Sequence, residues 1–239
     1  MKAVILAGGL GTRLKSVVSD LPKPLAPIHQ RPFLEYQLDY WINQGVTEFY
    51  LSVCYLAQKV KSHFQDSYKG CKISYIQEPA PMGTGGAILY SLSQFQDQKS
   101  DVVILNGDTF VEVDFDAMLA SHKGSGSSLS IALRVVECND RYSGVELDKN
   151  DKITQFCQRK ESSETLLINA GVYLLKPKLF SSYQWKCGER FSIEDDFFPE
   201  VIKSKNVYGY VTSGKFIDIG VPKDYEKSKS FFKDAGHVY

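Results

Sequence analysis

Short apolar runs alternate with amphipathic stretches along the first half of the chain, and this alternation narrows the possible folds more than any other feature. The runs are Ala3 to Ala7, Phe49 to Tyr55, Ile73 to Ile76 and Val102 to Leu105. Runs of that length read as strands, and linking them through helices gives βαβ units and a mainly parallel sheet. Between them, Phe33, Leu34, Leu38, Trp41 and Ile42 recur at helical spacing over Pro32 to Asn43, with Gly45 as the stop. Gly83 to Phe95 reads as a second helix, opened by glycines, and Asp116 to Lys123 precedes a Gly/Ser turn at 124–128.

From Ser128 onward the chain is rich in strands: Leu129 to Val136, Gly144 to Leu147, Ile153 to Phe156, Ile168 to Leu175 and Val207 to Val211. A last helix is expected from Pro222, with Asp224 and Glu226 near its positive end. No internal repeat is evident. At 239 residues, the chain is expected to form a single domain, with 1–127 as one half of a common sheet and 128–239 as the other.

Charge and cysteine usage exclude several function classes. Lys plus Arg and Asp plus Glu are 28 each, so no net field holds nucleic acid or an anionic membrane, and any phosphate must be bound locally. Five scattered cysteines without a CxxC pair suit reduced thiols, and the scattered histidines offer no zinc pattern. The start MKAVILAGG is too short for a signal or membrane segment. A cytoplasmic protein that binds neither membrane nor nucleic acid is expected.

The first apolar run leads straight into Gly8-Gly9-Leu10-Gly11-Thr12-Arg13-Leu14. Backbone N–H groups emerging there from a strand end can wrap phosphate oxygens, although a glycine-rich run can also be a tight structural turn. A Rossmann fingerprint would need glycine at Leu14, and no GxxxxGK[ST] run occurs. Leu21-Pro22-Lys23-Pro24-Leu25 follows. Together the two segments resemble the G-G-x-G-T-R-L and P-K-P signature of the sugar-phosphate nucleotidylyltransferases. Gly83-Thr84-Gly85-Gly86, Leu105-Asn106-Gly107-Asp108, Asn169-Ala170-Gly171 and Ile217-Asp218-Ile219-Gly220 resemble later landmarks of the family in order. Among its branches, the chain looks most like the short bacterial enzymes that guanylylate D-glycero-α-D-manno-heptose 1-phosphate. The mannose 1-phosphate branch is next.

The resemblance implies a three-layer α/β/α, Rossmann-like nucleotidyltransferase fold of the glycosyltransferase-A kind, with a mixed, mainly parallel central sheet. It also implies GMP transfer from GTP to a sugar 1-phosphate, with release of pyrophosphate, for capsule or lipopolysaccharide synthesis. The nucleophile is already ionised, so cations and Mg²⁺ are needed rather than a Ser/His or Cys/His pair. Arg13 is assigned to the β- and γ-phosphates, and Lys23, braced by two prolines, to the α-phosphate. Asp108 and Asp218 are expected to hold one Mg²⁺; otherwise Asp108 is a turn residue beside Gly107.

Nucleotide contacts are expected from Ala7, Gly8, Gly9, Gly11, Thr12, Glu78, Gly83 and Thr84. Glu78 stands five residues before Gly83, where uridylyl-transferring relatives carry glutamine. A carboxylate only accepts, which fits the adjacent N1–H and N2–H₂ donors of guanine and opposes a uracil carbonyl. Otherwise Glu78 ends its strand in solvent.

The sugar phosphate is assigned to Gly107, Tyr142, Gly144, Asn169, Gly171 and either Arg159 or Lys160. Tyr142 can equally be a core residue. Relatives carry Glu-Lys shortly before the asparagine element, whereas this chain reads Phe156-Cys157-Gln158-Arg159-Lys160, which leaves a neutral residue where the carboxylate is usual. Glu194-Asp195-Asp196 is read as the start of an acidic amphipathic helix packing Phe197 and Phe198, not as a second metal site. Other expectations kept open are the same chemistry on mannose 1-phosphate with GTP or glucose 1-phosphate with UTP or dTTP, a non-catalytic nucleotide-sugar sensor, and a homo-oligomer.

Overall fold

The protein is described by a computed structural model over residues 1–14, 16–18, 20–137, 142–157 and 164–233. The first half runs β1 (Lys2–Leu6), two 3-10 turns (Thr12–Leu14 and Lys23–Leu25), β2 (Pro27–Ile28), β3 (Arg31–Pro32) and α1 (Phe33–Asn43). It continues through β4 (Glu48–Val53), α2 (Ala57–Phe64), β5 (Ser67–Tyr68), β6 (Cys71–Gln77) and α3 (Gly83–Ser93). Then come β7 (Val102–Asn106), β8 (Thr109–Val111) and α4 (Phe115–Gly124). The second half contains β9 (Leu129–Glu137), β10 (Gly144–Leu147), β11 (Ile153–Cys157) and β12 (Thr165–Leu175). After a 3-10 helix (Pro177–Ser182) and a π-helical turn (Ile193–Phe197), α5 (Phe198–Ser204), β13 (Val207–Thr212), β14 (Phe216–Asp218) and α6 (Pro222–Phe231) complete it.

Ten strands share one mixed sheet in the order β11-β10-β12-β7-β1-β4-β6-β5, with β9 on β12 and β13 on β9. The centre, β7-β1-β4-β6, is parallel throughout, as the apolar runs require. Beyond the antiparallel edge pair β5–β6, antiparallel pairing enters where β12 joins β7 through Val172↔Leu105, so the second half extends the same sheet. Along β1, Ala3 and Ile5 enter one core with α1, α2, α4 and α6, while Val4 enters the other with α3 and α5. Both faces of the sheet are therefore covered, which makes the fold three-layered α/β/α.

Two local features aim the sheet's carboxyl edge. Gln37 of α1 is almost fully buried, and its Nε2 donates to the carbonyls of Asn106 and Thr109, which flank Gly107-Asp108. Within β12, the register against β9 shifts between Asn169 and Tyr173, and Gly171 takes a positive φ of 76°. Such a break in a ladder re-aims side chains. Asp218 closes β14, which pairs β8 in a separate two-stranded ribbon. Among the described residues no helix is long and apolar enough to cross a membrane, and Cys54, Cys71, Cys157 and Cys187 are free thiols.

Candidate active site

A cleft of about 520 Å³ opens at the carboxyl end of β1 and β7, where open α/β sheets place their ligands. It gathers Ala7, Gly8, Gly9, Gly11, Thr12, Arg13, Lys23, Glu78, Gly83 and Thr84 from the first half. Gly107, Asp108, Tyr142, Asn169, Gly171 and Asp218 face the same space. Gly144 does not reach it. That glycine is buried in β10, where a Cβ would meet Leu166 Cδ1 at 2.8 Å and Cys157 Sγ at 3.0 Å, so its smallness serves strand packing. Arg159 and Lys160 lie outside the described residues.

The glycine loop leaves β1 after Ala7, whose N–H donates to Ser52 O at 2.8 Å. Arg13 follows on an exposed 3-10 turn at the cleft edge. Lys23 sits between Pro22 and Pro24 in its own turn, 11% exposed, with Nζ 2.8 Å from Asp108 Oδ2. Asp218 is brought beside Asp108 by the Asp218↔Thr109 register and by Ile219 N donating to Asp108 O. Its Oδ1 accepts from Gly220 N at 2.6 Å and its Oδ2 from the Tyr142 hydroxyl at 3.4 Å.

Asp108 and Asp218, whose backbones the β14–β8 pairing sets together, offer hard carboxylate oxygens, and no histidine or cysteine lines the cleft among the described residues. Among the described residues no group of three or more His, Cys, Asp or Glu side chains is placed to hold a metal. Mg²⁺ is commonly held by only one or two carboxylates, leaving water and substrate phosphates to complete its shell, so Asp108 and Asp218 fit that ion.

At the other end of the cleft Glu78 is 6% exposed. Its Oε1 accepts from Ser52 Oγ at 2.9 Å, and its Oε2 accepts a long contact from Met82 N. A Cβ on Gly8 would stand 2.6 Å from Oε1, so the first loop glycine is what gives this carboxylate its space. Burial pushes the Glu78 carboxyl up, opposed by the hydrogen bonds from Ser52 and Met82. The side chain is thus buried at the cleft and does not end a strand in solvent.

The amino end of α3 is occupied by protein. Gly85 and Gly86 N–H groups donate to Phe191 O at 3.1 and 3.3 Å, and Thr84 Oγ1 accepts from Ile193 N at 2.9 Å. Gly83 has φ +70°, and a Cβ there would lie 2.5 Å from Phe191 O. These glycines let the 189–193 backbone dock on the helix, and the docked segment carries Arg190 and Glu194 into the cleft.

Arg190 is not singled out by the sequence, and Glu194 is expected there only as part of an acidic helix start. Phe197 and Phe198 pack as a buried helix start, as the acidic run suggested, but Glu194 turns away into the cleft. Its Oε1 accepts from Asn169 Nδ2 at 3.0 Å. The side chain is exposed to the cleft, yet the protein crowded around its carboxyl, and then the charges of Asp195 and Asp108, raise that carboxyl above the ordinary value.

The model of the nucleotidyl transferase family matches residues 2–235. The D-glycero-α-D-manno-heptose 1-phosphate guanylyltransferase of Campylobacter jejuni subsp. jejuni serotype O:2 is 41% identical, over 94% of this chain and 97% of that protein. The protein of the same name from Aneurinibacillus thermoaerophilus is 38% identical, over 96% and 97%. The crystal structure of HddC from Yersinia pseudotuberculosis complexed with GMP-PN superposes with a TM-score of 0.83 at 36% identity, covering 97% of this chain and 99% of that one.

Proposed function

The chain belongs to the nucleotidyl transferase family, and from that premise we propose that it transfers GMP from GTP to D-glycero-α-D-manno-heptose 1-phosphate, releasing pyrophosphate. The observation that carries the choice of nucleotide is Glu78, a buried acceptor at the end of the cleft formed by Gly8 and Ser52. An ionised carboxylate offers two acceptors to the paired N1–H and N2–H₂ of guanine and no donor to a uracil or thymine carbonyl. The choice of sugar is supported by the relatives that share the chain's full span.

In the reaction, an oxygen of the sugar 1-phosphate forms a bond to the α-phosphorus of GTP while the bond from that phosphorus to the bridging oxygen breaks. Pyrophosphate leaves with that electron pair. The glycine loop and Arg13 would hold the β- and γ-phosphates and offset the charge gathering on the departing group. Lys23, kept in place by its prolines and by Asp108, would meet the α-phosphate. Asp108 and Asp218 would hold Mg²⁺, which when bound lowers the repulsion between the two anions. The sugar phosphate would be met by Arg159 or Lys160. We extend the proposal to a cytoplasmic place in capsule or lipopolysaccharide synthesis on the family resemblance.

Competition between GTP and UTP in Glu78→Gln tests the base assignment. The substitution is expected to raise the GTP KM about 10- to 100-fold, the worth of a hydrogen bond to a charged acceptor, and to improve UTP. Unchanged GTP preference would remove Glu78 from base recognition.

A further inference from the structure

The asparagine of the Asn169-Ala170-Gly171 element is committed to other protein groups. Its Nδ2 donates to the Tyr173 hydroxyl at 2.9 Å and to Glu194 Oε1 at 3.0 Å, using both of its hydrogens. Its Oδ1 accepts from Gly171 N at 2.9 Å, closing the break in β12. What the amide fixes is Glu194, which faces the cleft on the same wall as Asn169 and Gly171. That carboxylate keeps Oε2 and a second lone pair of Oε1 for a ligand.

The strap that carries Glu194 is independently fixed. Ile193 N donates to Thr84 Oγ1, Phe191 N donates to Met82 O, and Ile193 is fully buried. An acceptor braced from two sides, on a wall lined by Asn169 and Gly171, suits a polyol rather than a phosphate, because a carboxylate repels an anion and accepts from hydroxyls.

We propose that Glu194 is the group that accepts hydrogen bonds from the sugar's hydroxyls, and that Asn169 acts through it as a positioning residue. The proposal rests on the sugar 1-phosphate reading above. It assigns the discrimination between sugars to a residue of the second half that lies far in sequence from the asparagine element.

Steady-state pyrophosphate release by the full chain, with GTP and D-glycero-α-D-manno-heptose 1-phosphate, tests it. Glu194→Ala is expected to raise the sugar-phosphate KM about 10- to 100-fold with the GTP KM unchanged. Glu194→Gln, which keeps the shape and one acceptor, is expected to fall between Glu194→Ala and the parent. Asn169→Ala is expected to raise the same KM in the parent and to have little further effect in Glu194→Ala, a non-additivity that a purely structural role for Asn169 would not produce. Thermal melting of each variant separates loss of fold from loss of contact. Parent turnover with variants whose sugar KM is unmoved, or whose GTP KM moves equally, would overturn the assignment of Glu194 alone. Absence of turnover by the parent would overturn the underlying reading, and the assignment with it.

Discussion

At the residue scale, one cleft holds carboxylates in different surroundings. Asp108 is paired with Lys23 at 2.8 Å, whereas Glu78 is buried against Gly8 and takes hydrogen bonds from Ser52 and Met82. Asp108→Asn keeps the side-chain volume but removes the charge that holds Lys23 and would hold Mg²⁺. A loss in kcat of about 100-fold or more, with the fold intact by circular dichroism, is expected in the pyrophosphate assay. Full turnover in that variant would contradict the metal assignment.

Glu78 also has a consequence for stability. Its folded-state carboxyl is raised above the ordinary value, so the folded protein binds the proton more tightly than the unfolded chain, and stability from this group is lost as pH rises through the raised value. Glu78→Gln should therefore melt at an equal or higher temperature than the parent at pH 7. The advantage should shrink as pH falls below the ordinary carboxyl range. A melting-temperature comparison at two pH values checks it, and a variant much less stable at pH 7 would mean that Ser52 and Met82 more than offset the burial.

At the scale of elements, the docking of the 189–193 strap on the amino end of α3 ties the two halves of the sheet together at the site. Gly83→Ala places a Cβ in a left-handed backbone 2.5 Å from Phe191 O. A destabilisation of at least about 1–2 kcal/mol by chemical denaturation is expected from the backbone conformation alone. The variant should also raise the KM for both substrates, because Thr84 and Glu194 move together. A change confined to the nucleotide KM would contradict this coupling.

The strap also marks where sequence reasoning stops. β7, α1 and β10 announce themselves through apolar periodicity and glycine stops, and Asp108 and Lys23 through local motifs. Glu194 lies in a run whose dominant pattern is two buried phenylalanines, so the helix start was legible while the direction of one side chain, set by Thr84 more than a hundred residues earlier, was not. Gly144 shows the converse: it is expected at the sugar phosphate, whereas the structure packs it against Leu166 and Cys157, partners that no local pattern announces.

At the scale of the whole molecule, a continuous sheet with helices on both faces supplies the frame, and the chemistry is concentrated at its carboxyl edge. Acid sensitivity is expected to arise elsewhere. His122 is 3% exposed, with Nδ1 2.8 Å from Ser130 Oγ and Asp101 3.5 Å away, and burial holds its pKa below the ordinary 6.5 despite that carboxylate. A histidine lowered in the folded state contributes stability above its unfolded pKa that is lost as pH falls through about 6.5 toward the folded value. The melting temperature is expected to drop over that window, less steeply in His122→Gln, and equal slopes would place the acid sensitivity in other groups.

The proposed guanylyltransferase activity joins a guanine-reading carboxylate to a phosphate cleft and a hydroxyl-accepting wall. Its most direct test is pyrophosphate release by the unmodified protein with Mg²⁺, over a grid of GTP, UTP and dTTP against heptose, mannose and glucose 1-phosphates. Turnover with GTP and D-glycero-α-D-manno-heptose 1-phosphate, and none with UTP or dTTP, is predicted. Turnover led by UTP or dTTP, or none on any pair, would contradict it.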